Sequence, residues 1–148
     1  MRELIRVSGL GFRYPDGTKL VFDGQDFTVS EGERVCILGP NGSGKSTLLQ
    51  LLLGLLKASD GEICILGVDP AKDYDRVRER VGALLQNVDL QIIAPKVWDD
   101  VAFSPRNYGY PREKIADLVD DILEKLEITH LRDKVPHYLS GGERTKVA

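Results

Sequence analysis

Apolar and polar residues follow several distinct rhythms along this chain, and each rhythm predicts an element. Leu4 to Leu10 reads as a strand, and Phe12-Arg13-Tyr14 leads into Pro15-Asp16-Gly17, a turn by composition and order. Two further short strands are predicted at Leu20 to Phe22 and Phe27 to Val29, separated by Asp23-Gly24. Three strands so closely spaced by turns imply a small antiparallel sheet. The run Arg34-Val35-Cys36-Ile37-Leu38, entered through Glu31-Gly32-Glu33, is the next strand. Leu48 to Leu56 is then leucine at every position except Gln50 and Gly54, which predicts a helix buried on most sides.

Further on, Asp60-Gly61 turns into a strand over Glu62 to Leu66. Tyr74 to Arg80 reads as a short charged helix with Val77 and Val81 facing inward, and Val81 to Leu85 as a second buried strand. Asn87 to Pro95 has neither helical nor strand regularity although it holds Val88, Leu90, Ile92 and Ile93. Such a stretch either meets another protein or tucks under its own loop. Val97 to Phe103 is a brief helix that leaves Trp98 a candidate for exposure, and Ser104 to Gly109 is loop. Pro111 opens the clearest helix, in which Ile115, Leu118, Val119, Ile122, Leu123 and Leu126 fall at helical spacing. Its acidic residues cover the solvated face and form no catalytic carboxylate pair.

Composition narrows the class without naming a chemistry. The 148 residues are 42% hydrophobic and 29% charged, enough for one packed domain and short for two. Net charge is −3 with both signs interspersed, so no single-sign tail points to nucleic acid or anionic lipid. The longest apolar stretch is too short to span a bilayer and Met1-Arg2-Glu3 lacks a signal-peptide core, which predicts a cytoplasmic chain. Cys36 and Cys64 lie in apolar runs without a C-x-x-C or a His cluster and read as small buried hydrophobes. His130 and His137 have no Ser or Cys partner arrangement and receive no catalytic role.

Two motifs carry chemistry. Gly39-Pro40-Asn41-Gly42-Ser43-Gly44-Lys45-Ser46-Thr47 fits the phosphate-binding pattern G-x-x-x-x-G-K-[ST] between a predicted strand and a predicted helix. Glycines let successive backbone N–H groups turn inward, and the helix start adds partial positive charge. Lys45 would reach the β- and γ-phosphates, Ser46 would place its hydroxyl on Mg²⁺, and Thr47 would start the helix. The second motif is Leu139-Ser140-Gly141-Gly142-Glu143 at the head of a helix-like run, where Ser140 either caps the helix or donates to a phosphate. Tyr14 has two readings also, stacking on a purine or closing a small core. Gln86 ends the predicted strand Val81 to Leu85, the end at which open α/β sheets bind ligands, and its alternative is an ordinary amide facing water.

Taken together, these motifs resemble the ATP-binding subunits of ABC transporters. The phosphate loop matches that family's Walker A, Leu139 to Glu143 its LSGG-type signature, Gln86 its Q-loop glutamine and Tyr14 its adenine-stacking aromatic. The run from Gln86 through Pro95 and on through Trp98-Asp99-Asp100-Val101-Ala102-Phe103 is most similar to the ATPases of energy-coupling-factor and cobalt or nickel importers. Val88 stands where proline is common, Glu143 where glutamine is, and Lys146 where arginine is. The resemblance implies an α/β fold, a P-loop NTPase of ABC type, with an incomplete parallel sheet, an N-terminal antiparallel β subdomain and a helical signature subdomain. The antiparallel strands and Walker A core would occupy about 1–86, and the Q-loop and helical part about 87–148.

The resemblance also implies the ligands and their holders. ATP and Mg²⁺ would be bound by Tyr14, Gly39, Asn41, Gly42, Ser43, Gly44, Lys45, Ser46, Thr47 and Gln86, with Ser46 and Gln86 toward the metal. Ser140, Gly141, Gly142 and Glu143 would meet the ATP held by a second ATPase subunit. An integral membrane subunit would dock on about Asn87 to Phe103, holding the protein at the inner face of the membrane. The implied function is the energy-coupling subunit of an importer. The alternatives are a non-hydrolysing nucleotide-binding fragment and a soluble ABC-type ATPase outside transport. Walker B, its catalytic glutamate and the switch histidine are expected to belong to sequence beyond these residues. Without them the apolar edges of Val35 to Leu38 and Val81 to Leu85 are expected to lie exposed.

Overall fold

A computed structural model describes residues 2–15, 17 and 20–148, Leu20 by its backbone only. It divides into two compact units, 1–81 and 82–148.

The first unit is built on a three-stranded antiparallel sheet. Strand β1 (Glu3–Arg13) lies between β2 (Leu20–Ser30) and β3 (Asp60–Ile65), with Val7 opposite both Phe27 and Ile63. The two predicted strands around Asp23-Gly24 are thus one continuous edge strand, because pairing along β1 carries β2 through the expected turn. The register slips between Val7 and Leu10, where Asp26 Oδ1 accepts from the Gly9 N–H at 2.6 Å. A side chain on Gly61 would stand 2.3 Å from the Gly9 carbonyl, and Gly61 has φ +78°, so only glycine fits this close crossing. After the slip, Leu10 and Phe12 return to the buried face with Val7.

Helix α1 (Lys45–Leu52) covers that face, and Leu48, Leu51 and Leu52 pack with Ile63 and Ile65 in one apolar core. Each such side chain contributes about 1.5–3 kcal/mol relative to leaving it in water. The helix is shorter than its leucines predict and is not buried all round: Leu49 is 52% exposed and Leu55, past its end, 68%. Helix α2 (Pro70–Asp73) is one turn capped by Asp69, whose carboxylate accepts from the Ala71 N–H and pairs with Lys72. Lys72 above all holds the Asp69 carboxyl below its ordinary range. The charged helix expected at Tyr74 to Arg80 is two 3₁₀ turns, 74–76 and 78–80, with Val77 buried between them as expected.

Neither apolar strand expected around the phosphate loop forms as a strand. Residues 33–40 and 81–85 are not in helix or sheet, and the described sheet contains no parallel pair. Val35, Ile37, Leu38, Leu84 and Leu85 are exposed, in line with the expectation of bare apolar edges. Cys36 is exposed and Cys64 half-buried, which corrects their reading as buried hydrophobes. A strand persists only where a neighbour takes its N–H and C=O groups.

The second unit is helical. Helices α3 (Val97–Val101) and α4 (Phe103–Asn107) follow one another, so part of the loop expected over 104–109 is helix. Helix α5 (Arg112–Lys125) starts after Pro111 as predicted and buries Ile115, Val119 and Leu123. Leu118 and Ile122 stay exposed at 41% and 38%, so its apolar stripe is wider than its buried one. With Val97, Ala102, Ile128, Leu131, Leu139 and Val147 of helix α6 (Gly141–Val147), these residues form the unit's core. Trp98 is half-buried, with the Arg106 and Arg132 guanidinium carbons 5.1 and 5.7 Å from its ring centre.

Candidate functional site

The phosphate loop is an irregular turn that delivers its glycine to a helix start. Ser43 donates its N–H to the Pro40 carbonyl, and Gly44 takes the left-handed conformation at φ +97° immediately before Lys45. A Cβ on Gly44 would lie 2.5 Å from Val21 Cγ1, so the loop reaches helix α1 only through glycine here. No side chain caps α1 and no acidic residue stands in its first turn. The partial positive charge of that helix end is therefore not offset by its own chain.

Lys45 lies back over the loop. Its ammonium donates to the carbonyls of Gly39 and Pro40, both at 2.8 Å, and retains a third donor. Asn41, Gly42, Ser43 and Ser46 are exposed, while Thr47 is only 7% exposed. The Thr47 hydroxyl lies 2.9 Å from the Tyr14 hydroxyl, and the Tyr14 ring is held edge-on to Phe12 with centroids 5.0 Å apart. Tyr14 is thus packed against the small core, the second of its sequence readings, and its hydroxyl contacts the helix of the phosphate loop. The structure brings Tyr14, Gly39, Gly44, Lys45 and Thr47 together in the first unit.

Gln86 and the signature turn belong to the second unit. Gln86 is exposed and does not end a strand. The residue that holds its neighbourhood is Gln91, which the sequence analysis missed. Its carboxamide oxygen accepts from the Leu85 N–H at 3.0 Å. Its nitrogen donates to the Ala83 carbonyl at 3.0 Å and to the Ala148 carbonyl at 3.1 Å. One side chain thus supplies the backbone of 83–85 with the bonds a neighbouring strand would give, and ties it to the end of α6. Arg144 Nε, 3.2 Å from Asp89 Oδ1, adds a second link between that stretch and α6.

At the signature, Ser140 caps α6, the first of its two readings. Its hydroxyl oxygen accepts from the Glu143 N–H, and its own O–H and N–H donate to Glu143 Oε2 at 2.7 and 2.8 Å. The Ser140 hydroxyl first, and then its N–H, hold the Glu143 carboxyl below its ordinary value. Gly141 and Gly142 are exposed, and a Cβ on either would touch nothing. Among the described residues no cluster of three or more His, Cys, Asp or Glu could hold a metal, and no helix is long and apolar enough to cross a membrane.

Comparison with known proteins agrees with this architecture. The family model described as ABC transporter matches residues 22–148. The energy-coupling factor transporter ATP-binding protein EcfA of Methanothermobacter thermautotrophicus is 43% identical, over 98% of this chain and 47% of the relative. The protein of the same name from Methanocaldococcus jannaschii is 45% identical, over 98% of this chain and 53% of its own length. Among solved structures, cbiO1 of Clostridium perfringens, part of the ABC transporter complex cbiONQ, superposes with a TM-score of 0.86. It is 35% identical, over 99% of this chain and 59% of its own. The chain spans about half the length of the curated relatives it matches. With a family model over most of its length and the superposition on an ABC ATPase structure, this chain belongs to the ABC transporter family and has its ATPase fold.

Proposed function

We propose that this chain is part of the ATP-binding, energy-coupling subunit of an ABC importer of the energy-coupling-factor or cobalt and nickel type. The observation that carries the reading is the phosphate loop itself. Helix α1 starts without a cap or an acid, Lys45 lies across the loop with a donor to spare, and Ser46 is exposed beside it. The helix N–H groups and the ammonium are donors that a triphosphate requires, and the Ser46 hydroxyl oxygen is a ligand suited to Mg²⁺. Tyr14 would stack on the adenine, Gly39 and Asn41 to Thr47 would hold the phosphates, and Ser46 with Gln86 would face the metal. None of the 148 residues is proposed as a general base. Ser140, Gly141, Gly142 and Glu143 would meet the nucleotide of a second subunit.

Calorimetric titration of Mg-ATP into the chain tests this reading. Binding is expected, and Lys45→Ala should weaken it on the order of a hundred-fold, since it removes charge-assisted bonds to the phosphates. Binding that survives Lys45→Ala unchanged would remove the phosphate loop from the account.

The membrane partner is proposed to dock on Asn87 to Phe103, where Leu90, Ile93 and Phe103 are 74%, 62% and 45% exposed. Ile92 instead packs against the core of its own unit, so Ile93→Asp is the clean probe. It should abolish co-purification with an integral membrane subunit and leave the thermal unfolding midpoint unchanged. Retained association would place the docking surface elsewhere.

A further inference from the structure

We propose that the Tyr14 and Thr47 hydroxyls form a relay joining the base end of the nucleotide site to its phosphate end, so that Tyr14 strengthens phosphate binding independently of its ring. The inference rests on the nucleotide reading above. Its basis is a contact between residues 33 positions apart: the two hydroxyl oxygens are 2.9 Å from each other and partly buried. Thr47 is a buried polar side chain and sits two residues past Lys45, on the first turn of α1. Phe12 holds the Tyr14 ring edge-on, so the hydroxyl is presented to Thr47 by packing as well as by the bond.

A hydroxyl donates one hydrogen bond and accepts two. Either hydroxyl can donate across this contact, and in the proposed relay the Tyr14 O–H donates to Thr47 Oγ1. Thr47 then directs its own proton at an acceptor in the loop, and the best acceptor there is an anionic phosphate oxygen. Each bond in such a chain polarises the next. The Tyr14 hydroxyl therefore acts on the phosphates through Thr47, which makes Thr47 the contact and Tyr14 its positioning residue. A tyrosine that served only to stack on the base would have no effect on a ligand without one.

Calorimetric titrations of Mg-ATP and of Mg-tripolyphosphate, which has no base, separate these cases in the 148-residue chain. Circular dichroism and thermal unfolding verify each variant's fold. Tyr14→Phe, which keeps the ring, should weaken both ligands about five-fold, the size of one hydrogen bond. Thr47→Val should weaken both, Thr47→Ser should restore them, and adding Tyr14→Phe to Thr47→Val should cost nothing more for tripolyphosphate. Unchanged tripolyphosphate affinity in Tyr14→Phe overturns the relay, as does simple additivity of the two changes. If Thr47→Val unfolds, Tyr14→Phe with the base-free ligand still decides. A wild-type chain that binds neither ligand defeats the nucleotide reading itself, and the relay with it; binding without the Tyr14→Phe effect defeats the relay alone.

Discussion

Two turns in this molecule lead into helices through glycine, and their helix ends are in opposite states. At Gly44-Lys45 the helix start has no cap and no acid, and the Lys45 ammonium lies back over the loop. At Ser140-Gly141 a complete capping box closes the helix with its own serine and glutamate. The first turn is crowded at its glycine, with Val21 and Phe22 against the site of any Cβ; the second is open at both of its glycines. Composition makes the two look alike. What separates them is whether the chain answers its own N–H groups or leaves them for an anion.

That difference can be broken or sharpened by substitution. The largest effect is expected at Gly44→Ala, which adds a Cβ 2.5 Å from Val21 Cγ1 at φ +97°. Denaturant unfolding should show a loss of about 2–4 kcal/mol from overpacking and left-handed strain. Gly141→Ala and Gly142→Ala, with nothing within 4 Å, should stay within about 0.5 kcal/mol of wild type. Equal losses at all three glycines would erase the contrast.

Next in size is Ser140→Ala, which removes the α6 cap and should cost about 1 kcal/mol in the same measurement. A change without effect would mean that α6 is held by the packing of Val147 and its links to Gln91 and Asp89 rather than by its cap.

The smallest effect is a pH dependence. Ser140 holds the folded Glu143 carboxyl below its ordinary 4.5, so its contribution is fully present above that value and is lost as pH falls below it. The stability difference between wild type and Glu143→Ala should therefore be present at about pH 7 and shrink as the pH falls below the ordinary carboxyl range. A difference that grew on acidification would contradict the capping geometry.

Much of this was legible beforehand where a local rule sufficed. The phosphate loop, the start of α5 after Pro111 and the capping role open to Ser140 all follow from residue types at short spacing. The failures share one cause. Val35 to Leu38 and Val81 to Leu85 have strand composition, yet a strand is a relation to a neighbour, and no described strand pairs with either run. Leu49, Leu118 and Ile122 lie on apolar faces that exceed the surface available to cover them. Gln91 was missed because its three bonds go to backbone groups at 83, 85 and 148, which no spacing rule connects.

By itself, then, the sequence determined the chemistry on offer: the lysine in its glycine loop, the serine before two glycines and the aromatic before a turn. Only the tertiary structure decided which of these groups meet. It set Tyr14 against Thr47 and joined Gln91 to the backbone at 83, 85 and 148. Glycines and caps act within a turn, over distances the chain itself fixes. Contacts such as Tyr14 to Thr47 exist only after β1 and α1 have packed their apolar faces together.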